Sequence, residues 1–356
     1  ALVLPIETAD GIIARIKVLS NLKLDEHRLP QDGRFKIESD EYRYALRVSV
    51  LPVFGGEKIV MRLLAEDSGH VTLEQLGFVK ETAKLIMDNL AKPVGMILVT
   101  GPTGSGKTTS LYSMMEILNT PTVNISTIED PIEYRMPRIN QTQVNPVIGL
   151  TFAAGLRALV RQDPNVIMVG EIRDRITARL AINAALTGHL VLSTLHTNSA
   201  AGAIPRLIDM GVEPFLISST VNIIIAQRLV RKFHGEKEAY RLESEELEHL
   251  KAYSDISRIE QMLKAEKLLK SKETISDVTL YRPKKSAEAP SGYRGRVGIV
   301  EAMNITPAIR ELAGKKASIE AIAAQARKEG TRAMFEDGFL KAAQGVTSLE
   351  EVLRVT

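Results

Sequence analysis

A nonapeptide rich in glycine, Gly-Pro-Thr-Gly-Ser-Gly-Lys-Thr-Thr at 101–109, constrains this chain more than any other segment. An apolar run at 96–100 precedes it, and a helix-compatible run at 109–118 follows it. The spacing from Gly101 onward is G-x-x-x-x-G-K-[ST], which between a strand and a helix is typical of a phosphate-binding loop. The glycines let backbone N–H groups converge on phosphate oxygens, and the helix N-terminus adds partial positive charge. The sequence therefore predicts a nucleoside triphosphate site in an α/β fold.

Two side chains of this loop carry the expected chemistry. Lys107 brings a full positive charge to the β- and γ-phosphates of ATP, and the hydroxyl of Thr108 is placed to ligate Mg²⁺. A tight strand-to-helix turn without chemistry is the alternative interpretation, and the flanking strand and helix argue against it. The other expected nucleotide-binding residues are Gly101, Pro102, Thr103, Gly104, Ser105, Gly106 and Thr109.

The length and amino-acid composition limit which classes of protein this chain can belong to. The chain of 356 residues is long enough for two or three domains. Its 46 basic and 43 acidic residues nearly balance, and it has no Trp, so neither charge nor aromatic content favours a nucleic-acid-binding surface. The absence of Cys rules out disulfides and thiolate metal sites. The apolar stretch at 215–226 is shorter than a membrane span, and no basic segment opens the chain, so we expect any membrane contact to be peripheral or through a partner.

The amino-terminal part of the chain predicts a small α+β unit over 1–64. Apolar residues recur at helical spacing over 12–19, and strand-like alternation follows between 34 and 51 and again at 59–64. The polar connector at 65–70 is the predicted linker.

From 71 to 231 the pattern alternates between apolar strands and helices, which predicts a parallel sheet covered on both faces. The predicted strands lie at 96–100, 123–128, 165–170 and 189–195, and the predicted helices at about 79–91, 107–118, 151–162, 174–186 and 199–210. Residues 236–275 are dense in Glu and Lys with Leu at helical intervals, which favours a solvated helical hairpin over a dedicated binding surface. A loop at 282–291 and a helical segment over about 305–354 complete the chain.

Two further strands end in carboxylates. The strand at 165–169 continues into Gly170-Glu171, where most ATPases of this type place an Asp that orients Mg²⁺, so we expect Glu171 to act on Mg²⁺ through its water shell. The strand at 123–128 continues into Glu129-Asp130-Pro131-Ile132-Glu133, and parallel sheets bind ligands at this edge. One of these carboxylates is expected to accept a proton from, or orient, an attacking water. A surface loop of ordinary carboxylates is the alternative.

Two histidines, His189 and His196, bracket the strand at 190–195. A lone histidine at a strand end is usually a hydrogen-bonded structural residue. Two of them around one core strand favour a position near the phosphates, and this is the prediction we make.

Four segments resemble, in chain order, those of the secretion and pilus-assembly ATPases of bacterial type II secretion and type IV pilus systems. They are the loop 101–109, the segment 129–133, the segment 170–171 and the strand bracketed by the two histidines. In that family they are the Walker A loop, the Asp box, an atypical Walker B motif and the His box. The resemblance implies a RecA-like P-loop ATPase core over 71–231, with a small PAS-like α+β domain before it and a helical subdomain over 298–356. It also implies that Glu133 is the catalytic base, that Glu171 is the Walker B glutamate, and that His189 and His196 couple the γ-phosphate to neighbouring elements.

The resemblance further implies a homo-hexameric ring in which arginines of the amino-terminal unit close over the nucleotide. Arg47 and Arg62 stand at those positions. Other arginines that match family members lining the site are Arg157, Arg161, Arg173 and Arg296. For any one of them taken alone, a solvated surface position or a surface ion pair is the alternative.

Two departures from the family follow from the same comparison of motifs. The chain begins inside the family's amino-terminal unit, so we expect a truncated piece that lacks a partner-binding region. Most secretion and assembly members hold a structural zinc with two Cys-x-x-Cys pairs. The corresponding positions here are His234, Lys237, Lys285 and Glu288. Two lysines in that set predict no zinc site, so ordinary packing is expected to hold an insertion subdomain over 232–297.

The function implied is a mechanochemical ATPase at the cytoplasmic face of the inner membrane. It would power pilus assembly or type II secretion through a membrane platform protein and a cytoplasmic adaptor. The 232–297 insertion and Gly292-Tyr-Arg-Gly-Arg resemble the assembly and secretion subtype more than the pilus-retraction ATPases, which remain an alternative. A RecA-like nucleic-acid translocase is a second alternative, disfavoured by composition. A scaffold that binds ATP without hydrolysis would be expected to lack Glu133 and Glu171.

Overall fold

The computed structural model describes residues 2–39, 43–65, 71–287 and 289–356, and the chain divides into two compact units. The first unit holds the described residues up to 65 together with 133–135, and the second holds the rest. Apart from Ala65, the predicted linker at 65–70 lies outside the described residues. Within the described residues, no helix is both long and apolar enough to cross a bilayer.

The first unit is a helix with a three-stranded antiparallel sheet. A 3₁₀ turn at Ile6–Thr8 leads into α1 (Ala9–Leu19), and β1 (Gln31–Glu38), β2 (Arg43–Val53) and β3 (Gly56–Ala65) pair in chain order. The helix and the strands lie where apolar periodicity and alternation predict them. One face of β2 supplies the buried side chains Leu46, Val48 and Val50.

The second unit is built around a seven-stranded sheet in the order β12-β9-β4-β8-β7-β5-β6. Its strands are β4 (Gly95–Thr100), β5 (Ile125–Glu129), β6 (Ile139–Gln143), β7 (Val166–Val169), β8 (Leu190–Leu195), β9 (Val221–Phe233) and β12 (Tyr293–Asn304), while β10 (Lys237–Tyr240) and β11 (Leu280–Pro283) form a separate ribbon. The edge strand β12 is antiparallel to β9, and all other neighbouring pairs are parallel. The carboxyl ends of β4, β5, β7 and β8 therefore meet at one edge of the sheet.

Helices connect and cover these strands. They are α2 (Lys80–Leu90), α3 (Lys107–Leu118), α4 (Phe152–Leu159), α5 (Arg175–Leu186), α6 (Ala203–Asp209), α7 (Pro214–Thr220), α8 (Ser244–Leu250), α9 (Ile256–Ala265), α10 (Pro307–Gly314), α11 (Ile319–Lys328), α12 (Met334–Ala343) and α13 (Leu349–Val355), with 3₁₀ turns at Pro146–Ile148 and Ile275–Asp277. The largest buried apolar cluster joins the sheet to α4, α5 and the helices after β12. The mixed α/β architecture with a central parallel sheet confirms the predicted fold class at this level.

Three strands of the seven-stranded sheet, β6, β9 and β12, were not predicted from the sequence. β6 (Ile-Asn-Gln-Thr-Gln) has one buried apolar residue, Ile139, so it lacks any alternation. β9 shares the apolar stretch at 215–226 with α7, and no turn residue separates the two. β12 begins with arginines and glycines, and no strand was predicted over its range. The predicted subdomain boundaries after 231 and 297 fall inside β9 and β12.

The charged segment at 236–275 does contain a helical pair, α8 and α9, but this pair is not solvated all round. Leu250, Ile259 and Leu263 are buried, and they belong to one apolar cluster with Phe335 and Phe339 of α12. The charged residues therefore cover the outer face of amphipathic helices that pack on the carboxyl-terminal part of the chain.

The positions expected to replace the family's zinc ligands lie around the β10–β11 ribbon. The Nζ of Lys237 donates to the carbonyl oxygen of Gly345 at 2.8 Å and lies 4.4 Å from the ring centre of Tyr281. Glu288 lies outside the described residues. Among the described residues, no group of three or more His, Asp or Glu side chains is arranged to hold a metal ion. The ammonium of Lys237 therefore has two partners in the protein, a backbone carbonyl oxygen and the ring of Tyr281, and neither contact involves a metal.

The purified protein is therefore expected to contain no stoichiometric zinc. A chelator should leave its melting temperature unchanged, because packing and cation–π contacts, rather than metal bonds, hold this region. Elemental analysis together with thermal unfolding in excess chelator checks this. About one zinc per chain would show that the equivalence of 232–297 with the family's zinc segment is wrong.

Candidate functional site

The glycine-rich loop leaves the carboxyl end of β4 and enters α3, whose N-cap is Gly106 in the left-handed region at φ 86°. Gly101, at φ 148°, begins the loop. A Cβ on Gly101 would lie 2.4 Å from the carbonyl oxygen of Gln227, and one on Gly106 would lie 2.8 Å from the Gln227 amide nitrogen. Both glycines are thus required by backbone angle and by close packing.

The loop presents backbone donors that no acceptor in the described part of the chain uses. The backbone N–H groups of Gly104, Gly106, Lys107 and Thr108 have no acceptor among the described residues. Residues 102–104 are exposed, so an anion can reach these groups from solvent. The hydroxyl of Ser105 is buried without a hydrogen-bond partner. A cradle of unpaired donors at a helix N-terminus fits the phosphate chain of a nucleotide.

Lys107 is buried and folded back onto this loop. Its Nζ donates to the carbonyl oxygens of Gly101 at 2.8 Å and Pro102 at 2.9 Å. Burial lowers the pKa of Lys107, and the nearby carboxylate of Glu171 acts against that shift. The ammonium therefore lies inside the cradle already, and within the described ranges its hydrogen-bond acceptors are two loop carbonyls that phosphate oxygens could replace.

Glu171 follows β7 and is the centre of a charged group at the same edge of the sheet. Its carboxylate accepts from Arg173 at 2.6 Å and lies 3.4 Å from the Nε2 of His196. The Glu171 side chain is 12% exposed, whereas those of Arg173 and His196 are 64% and 46% exposed. The structure thus brings together Lys107, Glu171, Arg173 and His196, with two solvent-facing partners around a nearly buried carboxylate.

The three carboxylates at the end of β5 and just after it have separate environments. Glu129 is 2% exposed, and it accepts hydrogen bonds from Tyr112, Thr127 and, at 3.3 Å, Gln141. Glu129 therefore ties β5 to the helix that follows the phosphate loop, and it is too enclosed to activate a water. Asp130 is exposed. Glu133 is half-buried and groups with the first unit.

The prediction that both histidines lie near the phosphates is wrong for His189. Its Nδ1 is 3.0 Å from the carbonyl oxygen of Ala184, and its own carbonyl accepts from the N–H of Gly95. His189 thus precedes β8 at the amino edge of the sheet, level with the start of β4. The phosphate loop begins at the other end of β4, roughly 20 Å away along a six-residue strand. His189 is the hydrogen-bonded structural histidine of the alternative interpretation.

The other arginines predicted to line the site, Arg157, Arg161 and Arg296, do not join this group. Arg157 and Arg161 are exposed at the end of α4, and Arg161 donates to the carbonyl oxygen of Arg157 at 2.8 Å. Because α4 runs from β6 to the start of β7, its end lies toward the amino edge of the sheet. Arg296 is exposed on β12 opposite Arg231, beyond the last β9–β4 pair.

Three arginines of the first unit stand in one cross-strand row, and sequence reasoning missed one of them, Arg34. Arg47 on β2 is directly opposite Arg34 on β1 and directly opposite Arg62 on β3. None of the three side chains has a hydrogen bond or ion pair within the described residues. Like charges directly opposite one another destabilise a sheet. Arg34 carries no motif, and only the strand register reveals it.

Comparisons with known proteins agree with this architecture. The chain matches the family described as "Type II/IV secretion system protein" over residues 2–354. It is 47% identical over 353 residues to the type II secretion system protein E of Xanthomonas campestris pv. campestris and, over the same length, to the type IV pilus assembly ATPase PilB of Pseudomonas aeruginosa. It covers 59% of each relative, and 99% of this chain is aligned.

Solved structures show the same fold. The pilus retraction motor PilT with bound ADP superimposes with a TM-score of 0.65 at 27% identity, over 92% of this chain and 78% of that one. The ATPase DotB of Legionella pneumophila superimposes with a TM-score of 0.63 at 23% identity, over 92% and 77% of the two chains. With the phosphate loop, the charged group at Glu171 and the matches over nearly its full length, the chain belongs to the type II/IV secretion system protein family.

Proposed function

We propose that this chain hydrolyses ATP at the loop 101–109. The observation that carries the proposal is the set of unpaired backbone donors around the ammonium of Lys107, beside the carboxylate of Glu171. The relatives named as ATPases and the structural neighbour with bound ADP support the same activity. The chain spans 59% of the length of the first two relatives, so the proposal concerns this portion.

In the proposed reaction, water attacks the γ-phosphorus while the bond to the β–γ bridging oxygen breaks. ADP and phosphate leave, and a carboxylate takes the proton of the water. Glu133 is proposed as this base, and Lys107 as the cation that holds the β- and γ-phosphates. His196 and Arg173, both in contact with Glu171, are proposed to respond to the γ-phosphate through that carboxylate.

Mg²⁺ is proposed to accompany ATP and to neutralise charge on the β- and γ-phosphates. The hydroxyl of Thr108 and the carboxylate of Glu171 are hard oxygen ligands that suit this ion. Glu171 is engaged by Arg173 and His196, so we assign it a contact through water rather than a direct bond.

A homo-hexamer is proposed, in which arginines of the first unit meet the nucleotide. Arg47 and Arg62 carry this role by resemblance, and we extend it to Arg34 because the three share one cross-strand row. Three uncompensated guanidinium groups cost stability in the free sheet, and an anion would relieve that cost. Arg157, Arg161 and Arg296 are proposed as further arginines that face nucleotide only in the ring.

Replacing Arg34, Arg47 or Arg62 by Gln is expected to lower kcat by about tenfold to 10³-fold, with a smaller change in KM. The same changes should leave the melting temperature unchanged or raise it slightly, because each removes like-charge repulsion worth roughly 0.2–1 kcal/mol. Steady-state kinetics and thermal unfolding of each variant measure both effects. Arg15→Gln, on an exposed face of α1, is the matched control and should alter neither. Wild-type kcat in all three row variants would remove the first unit from the reaction.

Within the cell we propose that the hydrolysis drives pilus assembly or type II secretion at the cytoplasmic face of the inner membrane. The proposed partners are a membrane platform protein and a cytoplasmic adaptor. The names of the relatives that are 47% identical support assembly or secretion, whereas the retraction motor is 27% identical. Ring formation predicts that turnover per chain rises with protein concentration.

A nucleic-acid translocase is the competing class, because RecA-like cores also move along DNA. The two classes separate in one assay of ATP turnover with and without single-stranded DNA. We expect the same rate in both, since the chain lacks Trp and its charge is nearly balanced. Strong stimulation by DNA, reversed by salt, would favour the translocase.

A further inference from the structure

A buried glutamine, Gln227, lies under the phosphate loop. It follows Ala226, the last residue of β9 to pair with β4, where Ala226 is opposite Thr100. The strand β9 continues past that point, so Gln227 is level with the start of the loop. The residue is 1% exposed. Nothing in the sequence marks it, because a single polar residue just after an apolar run forms no motif.

One hydrogen bond fixes the orientation of its amide. Ser110, on the first turn of α3, donates from its hydroxyl to the Oε1 of Gln227 at 2.7 Å. Both side chains are buried, so no water competes for this contact. With the oxygen held by Ser110, the NH₂ end of the amide faces Gly106. The side chain therefore has one orientation rather than two.

The glycines at both ends of the loop, Gly101 and Gly106, pack against Gln227. The space where a Cβ of Gly101 would lie is 2.4 Å from the Gln227 carbonyl oxygen, and that of Gly106 is 2.8 Å from Nε2. On its other side, Nε2 lies 3.6 Å from the Cβ position of Gly298 on β12. Gly298 in turn donates to the carbonyl oxygen of Leu76 at 2.8 Å. Gln227 thus lies between the first and last glycines of the loop and the edge strand β12.

We propose that Gln227 is a positioning residue for the phosphate loop, which it holds open in the shape that binds the triphosphate. Its backbone supports Gly101, and its amide directs the positive end of its dipole toward Gly106, whose N–H is one of the unpaired donors. That end has the same sign as the helix N-terminus, so it favours an anion above the loop. The proposal rests on the proposed function, because it assigns Gln227 to the same nucleotide site.

A buried glutamine that only fills space would behave differently on substitution. It would affect folding stability, and the affinity for ATP would follow only to the extent that protein unfolds. A positioning residue changes nucleotide affinity in protein that remains folded. The charge of the replacement then matters more than its volume, because the loop binds an anion.

Gln227→Glu is the sharpest variant, since it keeps the shape and places a carboxylate beside Gly106. We expect its dissociation constant for ATP to rise by about tenfold or more, with a smaller change in kcat. Burial raises the pKa of such a glutamate, so the loss of affinity should shrink between about pH 8 and about pH 6 as the carboxyl takes up a proton. Titration with a fluorescent ATP analogue at several pH values measures this directly.

Gln227→Leu and Ser110→Ala keep the test decisive if the charged variant folds poorly. The leucine removes the amide dipole, and the alanine removes the hydroxyl that orients it. Both should weaken binding by about threefold or more, with no dependence on pH. Gln325→Glu, on α11, adds the same charge away from the loop and should bind ATP like the wild type. Thermal unfolding of each protein verifies that folded chains are compared.

Wild-type affinity in folded Gln227→Leu and Ser110→Ala chains would overturn the proposal. So would a loss in Gln227→Glu that is matched by Gln325→Glu, because the effect would then be one of net charge. A wild-type chain that fails to bind the analogue at all would refute the proposed function itself. Binding by the wild type with unchanged binding by the variants would refute only the role of Gln227.

Discussion

Replacement of Lys107 by alanine is expected to abolish ATP turnover, with a loss of roughly 10²–10³-fold or more. The loop keeps its backbone donors but loses the one full positive charge that lies inside the cradle, 2.8 Å and 2.9 Å from the two loop carbonyls. In the proposed site, that charge is assigned to the β- and γ-phosphates, where negative charge is concentrated. On that proposal, both binding of the triphosphate and stabilisation of the leaving group depend on it.

The fold should survive this change. Burial lowers the pKa of Lys107, which means that the charged form is disfavoured in its buried position. Removing it relieves a desolvation cost, so the melting temperature without nucleotide is expected to stay the same or rise. Lys84→Ala, on an exposed position of α2, serves as the control and should keep wild-type turnover. Phosphate release and calorimetry on purified protein measure the two effects, and normal turnover in Lys107→Ala would move the site elsewhere.

Glu171→Gln and Glu133→Gln should each retain ATP affinity and lose hydrolysis by about 10²-fold or more, the scale of removing a general base. Each variant keeps the size and the dipole of the side chain and removes its basic oxygen. For Glu171 the change also weakens two contacts, those with Arg173 and His196, because a neutral amide attracts them less. Binding titrations and single-turnover hydrolysis separate affinity from chemistry.

Glu129→Gln is the matched contrast among these carboxylates. Glu129 is 2% exposed and accepts hydrogen bonds from Tyr112, Thr127 and Gln141. In Glu129→Gln, the amide NH₂ would face these donor groups and could not accept from them. We expect a lower melting temperature as its main effect. A Glu171 or Glu133 variant that hydrolyses ATP normally would lose its assigned role. If a variant no longer binds ATP, the residue it replaces contributes to nucleotide binding rather than to the chemical step.

The phosphate loop and the four central strands were accessible to sequence reasoning because their signals are local. An apolar run, a fixed glycine spacing and a helix start within a few residues predict β4, the loop and α3 without knowledge of the rest. The same holds for Glu171, which follows β7 after a single glycine.

Features that depend on distant pairing were not accessible. β12 carries charges and glycines, and it is a strand because β9 pairs with it along most of its length. Arg34 gains meaning only from its register with Arg47. His189 and His196 look equivalent around one strand, yet a strand has two ends, and only one of them lies at the edge that binds ligands. Gln227 needed the packing of β9 under the loop to be noticed at all.

The most direct test of the central proposal is phosphate release by the purified chain supplied with ATP and Mg²⁺. We expect turnover that saturates with ATP, that rises per chain as protein concentration increases, and that disappears in Lys107→Ala. The absence of turnover at every concentration, in protein that is folded by calorimetry, would contradict the assignment of ATP hydrolysis to the loop 101–109.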